Sequence, residues 1–474
     1  MKELLVRLDA SAGKALYEQI YEYIRGEIMD GRLSRGERLP SARLLAQSLQ
    51  VSRSTADAAY AQLASEGYLS ARRGSGHYVC DVRALYHFTG GQKTDASRKY
   101  PSGYHFLPGQ IDEEGFPYNA WRKSSKEALA ALEASRGLLR PGEPQGEYAL
   151  RKEIASYLHH ARGVRCEPEQ MIIGAGNEYL LQMLLQILGG PCRVVMESPT
   201  YLQAYDTFRN AGCPVAAVPM DADGMQADRI PEAFAGTDRQ DCGVTLAYVM
   251  PSHQFPLGCV MPLRRRMELL AWAGAGDGRY LIEDDHDSEF RYKGRPVPSL
   301  QGMDRAGTVI YLGTFSNSIM PSIRISYLVL PSQLVELYHR NCGFYASTVS
   351  RIQQMTVCRF ISCGYFERHL NKMRGIYKGK HDCLMQLLKG RPWVHRIYGD
   401  HAGLHIAVEI DSVRTEAEII ARAKASGLDV QGMSGCCPAG FASPGARPVL
   451  LLGFGNLTKE QMQEGLAILE QCMG

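Results

Sequence analysis

Residues 280–289 read YLIEDDHDSE: the apolar run Tyr280, Leu281 and Ile282 gives way to five carboxylates and a histidine within eight residues. The apolar part fits a buried strand. Side chains alternate along a strand, so Asp284 and His286 point to one side and Glu283 and Asp285 to the other. Four further apolar segments share this character, at 170–173, 193–196, 245–249 and 308–312. Helical stretches lie between them, and strands buried on both faces and separated by helices predict a mostly parallel α/β sheet. In such a sheet the ligand crevice lies beyond the carboxyl ends of the strands. Asp284 falls at that end, where a carboxylate suits a protonated ring nitrogen. Read alone, the same acids also suit a metal ion, but their spacing supplies no ligand geometry and we assign no metal site from it.

Two more segments carry chemistry. GTFSNSIMPSIR (313–324) offers the hydroxyls of Thr314 and Ser316 with Arg324 shortly after. Hydroxyl donors with a bidentate cation suit a phosphate, although these residue types also serve ordinary turns and surface pairs. PSHQFPLG (251–258) is a Pro- and Gly-bounded loop after another buried strand, and it carries His253 and Gln254.

The first eighty residues read differently. Leu16, Ile20, Ile24 and Ile28 recur at helical spacing, and the helix ends near Gly31. Ser41 is a good N-cap for a second helix, with Leu44, Leu45 and Leu49 facing inward. Ser52 caps a third, whose inner face is Ala56, Ala59, Tyr60 and Leu63, closed by Gly67. Tyr68-Leu69 and His77-Tyr78-Val79 then form two short strands about the turn Gly74-Ser75-Gly76. Helix, helix, helix, hairpin is the order of a winged helix-turn-helix. Residues 1–80 hold eleven Lys or Arg and nine Asp or Glu, so placement rather than charge carries the DNA reading. Arg43 and Arg53 stand near helix starts, Arg72 and Arg73 stand on the wing beside Gly74, and Ser52, Arg53, Ser54 and Thr55 form the first turn of the expected recognition helix. Such a turn reaches base edges while its hydroxyls and amides engage phosphates. The alternative is a protein-docking module.

Composition sets the frame. The chain has 474 residues, 45% hydrophobic and 22% charged, with net charge +3. That describes two or three globular units with no global demand for nucleic acid. The N-terminus has no apolar core of signal-peptide length, and no apolar stretch reaches the roughly 20 residues of a membrane span. Thirteen cysteines lack C-x-x-C spacing, with Cys436 and Cys437 adjacent. Reduced thiols in a cytoplasmic protein are expected. The units expected are a DNA-binding domain at 1–80, a linker at 81–104 and a large domain at 105–474, with a smaller α+β lobe at 370–474.

The run RLPSARLLAQSLQVSRSTADAAYAQLASEGYLSARRGSGHYV (38–79) resembles the DNA-binding domain of the GntR family. That resemblance implies DNA contact by Arg43, Arg53, Ser54, Thr55 and Gly74. Residues 105–474 resemble fold-type I pyridoxal-phosphate enzymes, through ARGVRCEPEQMII, ESPTYLQAY, PSHQFPLG, EDDHDSEFRYKGRPVPSLQG and LGTFSNSIMPSIRISYLV. The combination resembles the MocR subgroup of GntR regulators. By resemblance Asp284 pairs with the pyridine nitrogen, and Tyr201 stacks on the ring. Thr314, Ser316 and Arg324 hold the phosphate with the turn at Gly176-Asn177, and His253 and Gln254 lie near the ring hydroxyl or an effector.

The departures from that pattern matter as much. The Schiff-base lysine of the family falls at Asn317, whose amide is not nucleophilic and cannot form an imine. No lysine lies between Lys293 and Lys372. His286 stands where the family usually has tyrosine, and Glu178 brings an anion to the phosphate turn. The resemblance therefore implies a homodimeric transcription regulator binding a double-stranded operator and a small-molecule effector, without catalysis. Pyridoxal phosphate is bound non-covalently in one version; in the other, which we favour, the pocket has turned to another ligand or to none. The rival is a working aminotransferase with an accessory DNA-binding domain, but transamination takes its base from the lysine that is missing.

Overall fold

The computed structural model describes residues 6, 8, 14–72, 76–81, 103–234, 243–292, 297–438 and 447–473. The chain divides into two compact units, Met1–Lys99 and Tyr100–Gly474. Of the expected linker, residues 82–102 lie outside the described residues, as do Arg73 and Gly74 of the wing turn.

The first unit consists of α1 (Leu16–Met29), α2 (Ala42–Leu49), α3 (Arg53–Ser65) and an antiparallel hairpin of β1 (Leu69–Arg72) and β2 (Gly76–Val79). Its core takes Ile20, Ile24 and Ile28 from α1 and Ala56, Ala59, Tyr60 and Leu63 from α3. One expectation is corrected here. Leu44 is 47% exposed, and α2 turns Ala42, Leu45 and Ala46 inward instead. The i, i+3, i+4 stripe starts at Ala42, directly after the Ser41 cap, and this sets Leu44 on the outer face.

The strands of the second unit are β3 (Tyr104–Phe106), β4 (Met171–Gly174), β5 (Arg193–Ser198), β6 (Val215–Asp221), β7 (Gly224–Met225), β8 (Thr245–Val249), β9 (Arg279–Asp284), β10 (Val309–Thr314), β11 (Ser326–Val329), β12 (Val394–Tyr398), β13 (His405–Ile410), β14 (Leu428–Gly432) and β15 (Val449–Gly453). Eight of them form one sheet in the order β4-β11-β10-β9-β8-β5-β6-β7. The run β10-β9-β8-β5-β6 is parallel, while β11 and β7 are antiparallel to their neighbours. Both faces are covered, as continuous apolar strands require. Leu246 and Tyr248 enter one core cluster, and Ala247 and Val249 the cluster on the opposite face.

The smaller lobe holds the five-stranded sheet β12-β13-β15-β14-β3. It is not confined to 370–474, because β3 joins it, pairing parallel with β14 through Tyr104 and Leu428. The free edge of β14 is covered by chain that enters from the N-terminal side. No helix among the described residues is long and apolar enough to cross a membrane.

Candidate functional site

In the first unit the helix starts are built as their sequence suggests. Ser41 Oγ accepts from Leu44 N at 3.2 Å, and Ser52 Oγ from Thr55 N at 3.1 Å. The Ser52 hydroxyl also meets those of Ser54 and Thr55, each at 2.7 Å. Arg43, Ser52, Arg53 and Ser54 are exposed and Thr55 is half-buried. Arg53 makes a 3.4 Å pair with Asp57 one turn on, and the Arg72 guanidinium lies over the Tyr78 ring at 4.7 Å. The result is an exposed helix N-terminus with hydroxyls and arginines and a basic residue on the adjoining hairpin. Those are the groups that engage a phosphate backbone and base edges.

In the second unit a cavity of about 580 Å³ opens at the carboxyl ends of the parallel strands, lined by Tyr201, Asp284, His286, Thr314, Ser316, Asn317 and Arg324 among others. The seven residues expected there from widely spaced segments are thus brought together. Asp284 ends β9, with its carboxylate accepting from the Tyr248 hydroxyl and, at 3.4 Å, from Asn177 Nδ2. Burial pushes its pKa up to about 6, against the Tyr248 hydrogen bond and nearby His286, which pull it down. The strand alternation holds. Glu283 turns away to accept from Leu300 N and Gln301 N at 2.7 and 2.8 Å. Asp285 takes a bidentate pair from Arg162 at 2.8 and 2.9 Å. Burial opposes ionisation of Asp285, but Arg162 and the Tyr311 hydroxyl hold it below its usual range.

The phosphate-type corner already contains an anion. Arg324 Nη2 lies 3.0 Å from Glu178 Oε2, and the Tyr201 hydroxyl donates to Glu178 Oε1 at 3.1 Å. Glu178 stands in the first turn of the helix Asn177–Ile187, where the dipole favours negative charge. Gly176 must be glycine: its φ is +105°, and a β-carbon would come within 2.3 Å of Arg324 Nη2. Thr314 and Ser316 are turned to one another at 3.1 Å, and Ser326 Oγ donates to Thr314 at 3.0 Å. Arg324 itself holds φ +50°, a strained conformation for a non-glycine residue that clusters at functional sites.

Asn317 projects from the cavity wall and donates through Nδ2 to Asp287 Oδ1 at 2.6 Å. Burial opposes the charge on Asp287, but His286, His253 and the Asn317 bond lower its pKa below the usual value. No lysine is among the described residues that line the cavity. His253 and Gln254 do not line it either. Gln254 is buried in its own loop, donating to Pro199 O at 2.9 Å and accepting from Leu257 N at 3.1 Å. His253 is fully buried, and desolvation drives its pKa down to about 3. Sequence reasoning missed Tyr248 as the partner of Asp284, since it read as one more apolar strand residue. It also missed Gln431 and Cys436, which the small lobe contributes to the cavity wall. No local signal marks these, because only the packing of the two lobes brings them near.

Residues 16–79 match the family described as bacterial regulatory proteins, gntR family, and residues 109–423 match aminotransferase class I and II. YdeL, an HTH-type transcriptional regulator of Bacillus subtilis (strain 168), is 38% identical over 462 residues, covering 96% of each chain. The probable rhizopine catabolism regulatory protein MocR of Rhizobium meliloti is 32% identical over 490 residues, 98% of this chain and 95% of that one. An archaeal alanine:glyoxylate aminotransferase of known structure is similar in fold, with a TM-score of 0.70 at 24% identity over 79% of this chain and 92% of that one. With both domains matched and two regulators 32–38% identical over 96–98% of the chain, the chain belongs to the GntR family of bacterial regulatory proteins, in the MocR subgroup that joins a helix-turn-helix domain to an aminotransferase-like domain.

Proposed function

We propose that this regulator senses a small molecule in the cavity at the strand ends without covalent cofactor chemistry. The observation that carries the reading is Asn317. It stands where the family resemblance puts the Schiff-base lysine, and its amide is committed to Asp287. The residues present do not fit the family's cofactor as a covalent group, and no catalytic step is derived through it. The Glu178–Arg324 pair favours the version in which the ligand carries no phosphate. A phosphate entering that corner would meet a carboxylate already held by the cation, and would have to displace it. Asp284, with its pKa near 6, remains as the partner for a protonated nitrogen. The ligand class we infer is therefore a small, nitrogen-bearing, unphosphorylated molecule.

The same reading includes a homodimer, which two exposed apolar side chains support. Leu139 and Phe344 are 95% and 75% exposed. Both loops are tied to the helix Arg351–Ser362: Arg351 donates to Gly137 O at 2.8 Å, and Gln354 to Val349 O at 2.9 Å. Thr348, in the loop that follows Phe344, accepts from Ala175 N at 3.2 Å, next to the Gly176 turn of the cavity. A partner seated on this face would thus be linked to the pocket by a short path. Regulation then requires a ligand that binds one dimer arrangement better than another.

The experiment is calorimetric titration of the full chain with pyridoxal phosphate and, separately, with pyridoxal, repeated on Glu178→Gln. We expect little affinity for the phosphate ester in the parent and a gain of at least tenfold in the variant. Tight binding by the parent, indifferent to Glu178→Gln, would overturn the assignment of that corner.

A further inference from the structure

At the cavity wall lies a cluster to which the effector reading assigns no ligand of its own. The His286 ring, on the cavity wall, stacks on that of His253 with centroids 6.3 Å apart and planes at 19°. His253 is fully buried, and neither ring nitrogen has a partner at full hydrogen-bond geometry; its polar contact is a weak one to the Ala402 backbone. A buried imidazole in that condition has lost water and recovered little in exchange. Asp287 faces the pair, its Oδ2 3.3 Å from His286 Nε2. Its backbone holds φ +54°, the left-handed region, a strained setting for a residue with a side chain. One ligand atom from each of His253, His286 and Asp287 lies within 4.8 Å of the other two.

We propose that His253, His286 and Asp287 form a binding site for a divalent first-row transition-metal ion, with open coordination positions available to water or to a ligand in the cavity. Two imidazoles and one carboxylate are donors of the kind that zinc, cobalt, nickel and ferrous iron take, unlike the all-oxygen sets of magnesium or calcium. Bonds of 2.0–2.1 Å in a tetrahedron put ligand atoms about 3.3 Å apart. The His286–Asp287 pair already has that spacing, and the ligand atom of His253 lies within 4.8 Å of both. The site has its outer support as well. Asn317 donates to the second oxygen of Asp287, the role that hydrogen-bond partners of ligating carboxylates commonly play. A lysine at 317 would instead set a competing cation beside the ion. Gly403 adopts φ +81°, and a β-carbon there would fall 2.1 Å from His253 Cε1, so the backbone is shaped to admit that ring. His405 packs against His253 at 5.4 Å but has its Nε2 paired with Pro256 O at 3.0 Å, and we leave it out of the set. The acids at 283–289 gave no ligand geometry by spacing; it is the fold that brings His253 from another loop.

The test uses the full chain, stripped with chelator and dialysed, then titrated with cobalt(II) by visible absorption and with zinc(II) by calorimetry. We expect one ion per chain, with cobalt bands of nitrogen and oxygen coordination and no thiolate charge-transfer band. His286→Tyr and Asp287→Asn should each weaken binding more than tenfold, Asn317→Ala by roughly 10–100-fold, and His401→Ala, at an exposed histidine, not at all. Should His253→Ala fail to fold, His286→Tyr decides alone, since its ring borders the cavity. Absence of binding at one equivalent, binding indifferent to His286→Tyr and Asp287→Asn, or a thiolate band would each overturn the site. None of these outcomes depends on whether the cavity takes an organic effector.

Discussion

At the scale of single residues, buried carboxylates dominate the chemistry of the large unit, and they differ by their partners. Asp285 is held ionised by Arg162, whereas Glu197 in β5 is pushed by burial up to about 7, despite accepting from Met225 N at 3.2 Å. The raised value means that the folded state keeps the Glu197 proton more tightly than the unfolded chain does. Its contribution is fully present below the unfolded pKa and is lost as pH rises from about 4.5 to about 7. Glu197→Gln cannot ionise, so it should match the parent near pH 4 and exceed it at pH 8 by up to ~3 kcal/mol. Denaturant titrations at the two pH values measure this, and an equal difference at both would count against it. The acids of 283–289 were legible as a strand end, and their alternation put Asp284 and His286 on the cavity side. The isolation of His253 was not legible, because a lone histidine in a Pro/Gly loop says nothing about the nitrogens around it.

At the scale of elements, the caps are the most reliable part of the reading. Ser41 and Ser52 sit before apolar helical stripes, and both make the expected side-chain bonds. Ser52→Ala should cost ~1 kcal/mol, seen as a roughly fivefold loss of amide-exchange protection along α3 in the full chain; unchanged protection would deny the cap its role. Arg53→Ala should weaken binding to a selected operator and reduce the salt slope of that binding by about one. An unaltered slope would mean that Arg53 does not meet a phosphate. Leu44 shows where pattern reading fails. Three leucines in six residues look like one face, yet the helical turn admits Leu45 and Leu49 together and sends Leu44 outward. Similarly, β11 carries no signature of direction, so an antiparallel strand within the parallel sheet had to come from its neighbours.

At the scale of the whole molecule, two units and a mostly parallel sheet follow from the alternation of apolar strands with helices. The recruitment of β3 into the small lobe does not, because three residues after a polar stretch carry too little pattern to be assigned a partner. The exposed Leu139 and Phe344 belong to this scale too. Leu139→Asp with Phe344→Asp should convert a dimer to a monomer in sedimentation velocity and lower operator affinity, with the fold of each unit retained by circular dichroism. A monomeric parent would remove this part of the proposal. The central claim concerns the cavity, and its most direct measurement is the absorption spectrum of the full chain, purified without vitamer and titrated with pyridoxal phosphate. The account predicts no imine absorption that survives dialysis, since Asn317 has no amine to offer. An imine band that survived dialysis and vanished on borohydride treatment would contradict it, by showing that a lysine elsewhere in the chain serves the site.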